Sequence, residues 1–460
     1  MMVGFITLLV AVSLGAATNA PAWKAGVATV ILTPEQPMWM AGFAARTNIS
    51  QGKATELYGK ALALEDSGGT RLVIVTLDLI SVPRALRNGL EAAVLKEHNL
   101  AREGLLMNCS HTHSGPEFTI GTGPLPWPMF GNPPRAGAKS AEDYGRELQE
   151  KLIALVRRAL ASRAPAKLSY QHARSGFAMN RRTPVGGSYN NFPNPDGPVD
   201  QEVPVLRVDG QDGKLQAVIF GYACHNTTVG FYQICGDYAG YAQQDFEAAH
   251  PGVTALFMLG CGGDQNPYPR NTSELAQLHG RTLATAVEAA LETRARPLPG
   301  PLRLAYGEVD INYAGPPIRA EYEAKLKSSD KYEARHARRF LDQLSRDGKL
   351  PEKYPFPAQV VQFGDDLTLV GLGGETVVDY SLRLKKELAG PAVWVAGYCN
   401  DVMGYIPSAR LLREGGYEPC TSMLFSEIHP GPWSPSLEEQ IIAKVHKLND
   451  ELRPRVGGKK

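Results

Sequence analysis

"RLVIVTLDLISVPRALRNGLEAAVLKEHNLAREGLLMNCSHTH" spans residues 71–113, and its reading decides the fold. Residues 71–80 and 104–110 are apolar or β-branched runs of strand length. Between them, 83–98 opens with Pro83 at a helix start and sets Leu86, Leu90 and Val94 four apart, one buried stripe. Strand, helix and strand in succession predict an α/β layered fold. His111 and His113 stand where the second strand ends, and residues two apart on a strand share a face. Two imidazoles entering one space make a metal site, a proton-handling pair or a coincidence.

The same alternation runs outward along the chain. Strands are predicted at 26–32, 203–209, 215–223, 253–259, 302–311, 358–363, 367–372 and 392–396. Helices are predicted at 140–163, 238–249, 272–293, 319–347, 376–388 and 435–450, the first opened by the capping box of Ser140. Region 319–347 is charge-rich and reads as one solvated helical excursion. No repeat and no low-complexity linker divides the chain. The expectation is one large α/β domain with a mixed β-sheet, flanking helices and its site at strand ends. Two long irregular stretches, 114–139 and 176–202, carry aromatic residues and read as ordered site walls.

Composition narrows the partners. The 460 residues are 43% hydrophobic and 21% charged, with a formal net charge of +1 and no basic block before the final Lys-Lys. This excludes nucleic acid and leaves at most peripheral membrane contact. "MMVGFITLLVAVSLGAATNA" (1–20) has an apolar core too short to span a bilayer, which takes about 20 residues. It reads as a signal peptide cleaved near residues 17–20, placing a domain of residues 21–460 outside the cell or in a periplasm. Six cysteines form no Cys-x-x-Cys; Cys224–Cys235 or Cys399–Cys420 as disulfides, or small buried thiols, both fit.

Other polar residues also fall at strand ends. "VIFGYACHNTT" ends a strand on His225, and "LTLVGLGGETVVDY" sets Glu375 after a Gly-Gly corner. "MLGCGGDQNP" delivers Asp264, and "VAGYCNDVMGYIP" delivers Asn400 and Tyr405. Each has a plain structural explanation: a hydrogen-bonded histidine, a helix-start carboxylate, a turn aspartate, a core tyrosine. Together they fall where α/β sheets gather ligands.

"AGVATVILTP", "MAGFAART", "SHTHSGP", "NRRTP", "VDQEVPVLRVD", "GYACHNTT", "GDYAGYAQQDFE", "GGDQNP", "GGET", "NDVMGYIPS" and "GGYEP" occur in that order. The set, from about residue 24 to 433, resembles the catalytic domain of the neutral/alkaline ceramidases. The resemblance implies one zinc per chain, held by His111, His225, Glu375 and Tyr405. It implies that His113 lies beside the substrate amide and handles a proton, and that Arg181 and Tyr417 also face substrate. Asp264 and Asn400 are candidates for orienting ligands from behind. The implied reaction is zinc-dependent hydrolysis of an N-acyl amide, ceramide giving a sphingoid base and a fatty acid. Such enzymes usually carry a C-terminal immunoglobulin-like domain; the chain ends soon after its last motif, so none is expected. Val402 also stands where the family often has Tyr.

The alternatives are a different amide or ester on the same fold, or a non-catalytic protein stabilised by metal. A metallo-β-lactamase pattern fails because Gly115 and Pro116 occupy the Asp and His positions of HxHxDH. His111, His113 and Glu117 fit the HxHxxxE of a cupin, but the helices contradict a small β-barrel. The oligomeric state stays open.

Overall fold

A computed structural model describes residues 22–121, 136–315, 318–388 and 390–453. The 71–113 segment forms strand Arg71–Leu77, helix Arg84–His98 and strand Leu105–Cys109, the two strands parallel neighbours. They lie in a large sheet ordered Thr254–Leu259, Leu215–Tyr222, Glu202–Gly210, Ala164–Arg174, Trp23–Ile31, Tyr58–Asp66, Arg71–Leu77, Leu105–Cys109, with Arg296–Pro297 beside Ala164–Arg174. Pairing is parallel at the two ends and antiparallel between, so the sheet is mixed as expected.

Period-two alternation builds the layers. Val73, Val75 and Leu77 pack with helices Arg84–His98, Ala141–Ala161, Asp237–Ala249 and Ser273–Leu291. Leu72 and Ile74 point the other way, against Val361, Phe363, Leu369 and Trp394 of a second sheet. That sheet is ordered Leu302–Asn312, Lys353–Phe363, Leu367–Leu372, Val393–Ala396. Its far face carries Val360, Val370 and Val395 against helices Val378–Glu387 and Leu437–Leu452. The result is four layers: helices, sheet, sheet, helices. Strands covered on both faces need continuous apolar runs, which is why "LVIV" reads so clearly.

The two outer strands of the large sheet meet. Asn108, fully buried, accepts from Leu259 N (2.8 Å) and donates to Leu259 O (3.2 Å), so its amide imitates a strand neighbour. The end of strand Val393–Ala396 and the residues after it add single bridges to both edges, Gly260 with Ala396 and Asn108 with Cys399. This closure brings the ends of strands Leu105–Cys109 and Leu215–Tyr222 together.

Several expectations are corrected. Region 319–347 is two helices, Arg319–Lys325 and Lys331–Asp347, because Asp330 caps the second by accepting from Tyr332 N (2.8 Å). The stretch 176–202 is no irregular wall: Ala178–Val185 and Ser188–Asn194 form a hairpin turning on Gly186 and Gly187, both at positive φ. Strands Tyr58–Asp66 and Ala164–Arg174 were not anticipated from the sequence, and the strand predicted at 358–363 begins at Lys353. All six cysteines are free thiols, five of them buried. The signal peptide of residues 1–20 and positions 122–135 of the 114–139 stretch lie outside the described residues. Among the described residues no helix is long and apolar enough to cross a membrane.

Candidate metal centre

His111 follows strand Leu105–Cys109 at φ 58°, a left-handed conformation that turns its ring off the strand. Its backbone N–H donates to Leu79 O (3.0 Å) and Nδ1 to Ile80 O (2.6 Å). A carbonyl only accepts, so the proton is on Nδ1 and Nε2 faces inward with its lone pair in the neutral ring. His225, three residues beyond strand Leu215–Tyr222, is built alike: Nδ1 donates to Gly262 O (2.7 Å). Burial and the nearby Arg181 charge push its pKa down to about 4, so it is neutral at pH 7. Asn226 ties the two loops by donating to Ser110 O (2.5 Å) and accepting from His113 N (3.2 Å).

Glu375 arrives from the second sheet. Strand Leu367–Leu372 ends at Gly373 and Gly374, and the next two residues pair in parallel with Tyr405 and Ile406, Glu375 directly opposite Tyr405. Gly374 is required there: its φ is 66°, and a Cβ would strike Ile406 and lie 2.9 Å from Gly404 O. Glu375 Oε2 then lies 3.1 Å from His111 Nε2 and 3.3 Å from His225 Nε2, and Tyr405 OH lies 3.2 Å from His225 Nε2. Burial acts to raise the Glu375 pKa, yet its two histidine neighbours carry it well below the usual carboxylate range.

His113 joins the same cluster. Its Nε2 is 3.1 Å from His111 Nε2, and His111, His113 and His225 form the one group of metal-ligating type among the described residues. Its Nδ1 is buried without a partner, and burial, followed by the other two histidines, holds its pKa well below the ordinary value. Phe43 packs on the ring at 4.9 Å, and Gly42 passes so close that a Cβ would lie 2.5 Å from His113 Cγ. Arg46 fixes the backbone by donating to His113 O (2.7 Å). Glu117, the fourth residue on, is not part of the cluster; both its oxygens are buried without partners, and burial raises its pKa to about 7.

Around Tyr405, Arg181 Nη2 donates to the hydroxyl (2.9 Å), Nε to Glu418 (2.9 Å) and Nη1 to Asn266 (3.3 Å). Tyr417, half-buried, meets the centre through its ring, 5.5 Å edge-on from Tyr405. Asp264 and Asn400 stand further back. Asp264 accepts from Val378 N (2.9 Å) and Asn180 (3.1 Å), tying the hairpin to the helix after Glu375. Asn400 accepts from Met107 N (3.1 Å) and Arg87 (3.2 Å) and donates to Gln359 (2.8 Å), joining the two sheets. Asn108, Arg46, Asn226, Tyr398 and Glu418 were missed. The motifs "MAGFAART", "GYACHNTT" and "GGYEP" offered a signal, for Arg46, Asn226 and Glu418.

The donor set fits a divalent cation. With Nδ1 of each ring donating to a carbonyl, the Nε2 atoms of the neutral His111 and His225 rings and the Glu375 carboxylate are acceptors at contact distance. Buried acceptors facing one another cost free energy unless a cation joins them. Two imidazoles and a carboxylate are ligands zinc accepts, and three such ligands with a further position open mark catalytic sites.

A layered α/β chain with histidines and a carboxylate gathered at its strand ends has the architecture of a metallohydrolase. A family model, neutral/alkaline non-lysosomal ceramidase, N-terminal, matches residues 25–260, just over half of the chain. The chain belongs to that family, whose members hydrolyse the N-acyl amide bond of ceramide. The matched segment holds the three histidines and Arg181; Glu375, Tyr405 and Tyr417 lie beyond it. Two solved structures share the fold: neutral ceramidase from Pseudomonas aeruginosa at TM-score 0.71 and a ceramidase complexed with C2 at 0.70. Each is 18% identical over 96% of this chain, which spans 76% and 78% of their respective lengths. A comparison with curated protein sequences finds no match.

Proposed function

We propose that the chain is a zinc-dependent hydrolase of ceramide, releasing a sphingoid base and a fatty acid. The observation that carries the metal is the convergence of the His111 and His225 Nε2 atoms on one carboxylate, described above. Family membership carries the amide, and the solved ceramidases of like fold favour ceramide. His111, His225, Glu375 and Tyr405 hold the ion, one per chain, which when bound supplies Lewis acidity that brings the pKa of water to about 7 and polarises a carbonyl.

The protein does the rest. His113, with Nδ1 free and Phe43 excluding water from one face of its ring, passes a proton to the leaving amine. Arg181 stays charged between Glu418 and Tyr405 and, with Tyr417, supports negative charge developing on the carbonyl oxygen. Asp264 and Asn400 orient the segments that carry the ligands. Residues 1–20, as a secretory signal, take the enzyme to the outside of the cell or a periplasm.

The test is hydrolysis of ceramide and a panel of shorter N-acyl amines and esters by the purified protein, with and without chelator. Turnover should disappear on chelation and return with zinc, and His111→Ala should lose ~100-fold or more. Full activity in chelator overturns the metal, cleavage of the short amides alone overturns ceramide, and zinc bound without any turnover identifies a binding protein.

A further inference from the structure

Tyr398 is fully buried and holds φ 54°, a left-handed conformation that strains a residue with a side chain. Strain of this kind persists only where its surroundings impose it. Its N–H donates to Gly374 O (3.0 Å), one residue before Glu375. Its hydroxyl lies 3.4 Å from Glu375 Oε2 and has no other hydrogen-bond partner among the described residues. The ring lies 4.8 Å from that of His111 and 6.2 Å from that of His225, the second contact edge-on. Oε2 is also the oxygen that faces both imidazoles.

We propose that Tyr398 is a positioning residue for the metal centre: its hydroxyl donates to Glu375 and stops the carboxylate from rotating, keeping Oε2 between His111 and His225. The proposal rests on the metal reading given above. A carboxylate's terminal torsion is broad, so one charge-assisted donor decides which oxygen points inward. The ring supplies a wall behind His111, and the hydroxyl aims the carboxylate.

Tyr398→Phe removes one oxygen and keeps the wall. Zinc affinity is read by competition with a chromophoric chelator, independently of activity. The variant should bind zinc ~10-fold or more weakly, while the melting temperature without metal stays at the wild-type value. Tyr380→Phe, whose hydroxyl donates to Pro407 O (3.1 Å) away from the centre, should bind zinc as wild type does. In a Glu375→Gln background, Tyr398→Phe should add almost nothing, because its effect passes through that carboxylate. Wild-type zinc affinity in Tyr398→Phe, or a full additional loss beside Glu375→Gln, overturns the proposal. A wild-type protein that takes up no zinc overturns the metal reading itself, and this proposal with it.

Discussion

His113 has the geometry of a ligand and the chemistry of a proton carrier. Its Nε2 approaches that of His111 as closely as Glu375 does, yet its Nδ1 has no carbonyl to fix the tautomer as Ile80 and Gly262 do for the other two. A ring free to exchange its proton suits general acid–base work, which contributes ~100–10,000-fold. His113→Gln should therefore keep zinc at one per chain by metal analysis while turnover falls by at least ~100-fold; loss of the metal would make His113 a ligand. Glu117 answers to pH instead. Its folded pKa of about 7 exceeds the ordinary 4.5, so the native state holds the proton more tightly and the favourable contribution fades as pH rises through 7. Glu117→Gln should melt a few degrees above wild type at pH 8 and level with it below pH 4.5, measured by calorimetry. His111, His225 and Glu375 were legible because a polar residue ending an apolar run is conspicuous. Tyr398 and Asn108 were not: a lone tyrosine or asparagine inside a buried run gives no sign that its partner lies in another strand.

Among the elements, the shortest ones matter most to the site. Two residues, Glu375 and Thr376, pair with Tyr405 and Ile406, and that pairing sets a carboxylate opposite a phenol. No periodicity survives in so short a strand, so only the Gly-Gly corner announced it. The hairpin of 178–194 was hidden for a different reason: "AMNRRTPV" and "SYNNFPN" are polar on both faces, though Gly-Gly is a sound turn signal. Asn400, a loop residue at φ 65°, ties strand Leu105–Cys109, strand Lys353–Phe363 and helix Arg84–His98 together through three side-chain hydrogen bonds. Asn400→Ala strands Met107 N–H, Gln359 and Arg87 in the interior, each unsatisfied group costing ~1–3 kcal/mol. The variant should unfold at clearly lower denaturant, by urea titration. Unchanged stability would show that water replaces the amide without loss.

For the molecule as a whole, the long apolar runs made the α/β class readable, since double burial writes continuous hydrophobicity into a strand. What they could not disclose is that the strands divide between two sheets, because a run buried against helices looks like one buried against another sheet. Nor could they show that the large sheet closes on itself, a fact resting on the side chain of Asn108. The proposed ligands come from both sheets, so a bound ion clamps the layers. Chelation should lower the melting temperature by several degrees, a ligand at about 1,000 times its Kd contributing ~4 kcal/mol. An unmoved transition would mean that the layers hold without the ion.

That His111 and Tyr405 stand so far apart along the chain has a bearing on biosynthesis. A nascent polypeptide still missing its last hundred residues has the paired imidazoles but neither the carboxylate nor the phenol. With the proposed ligand set, metal loading can then be completed only after translation has passed Tyr405.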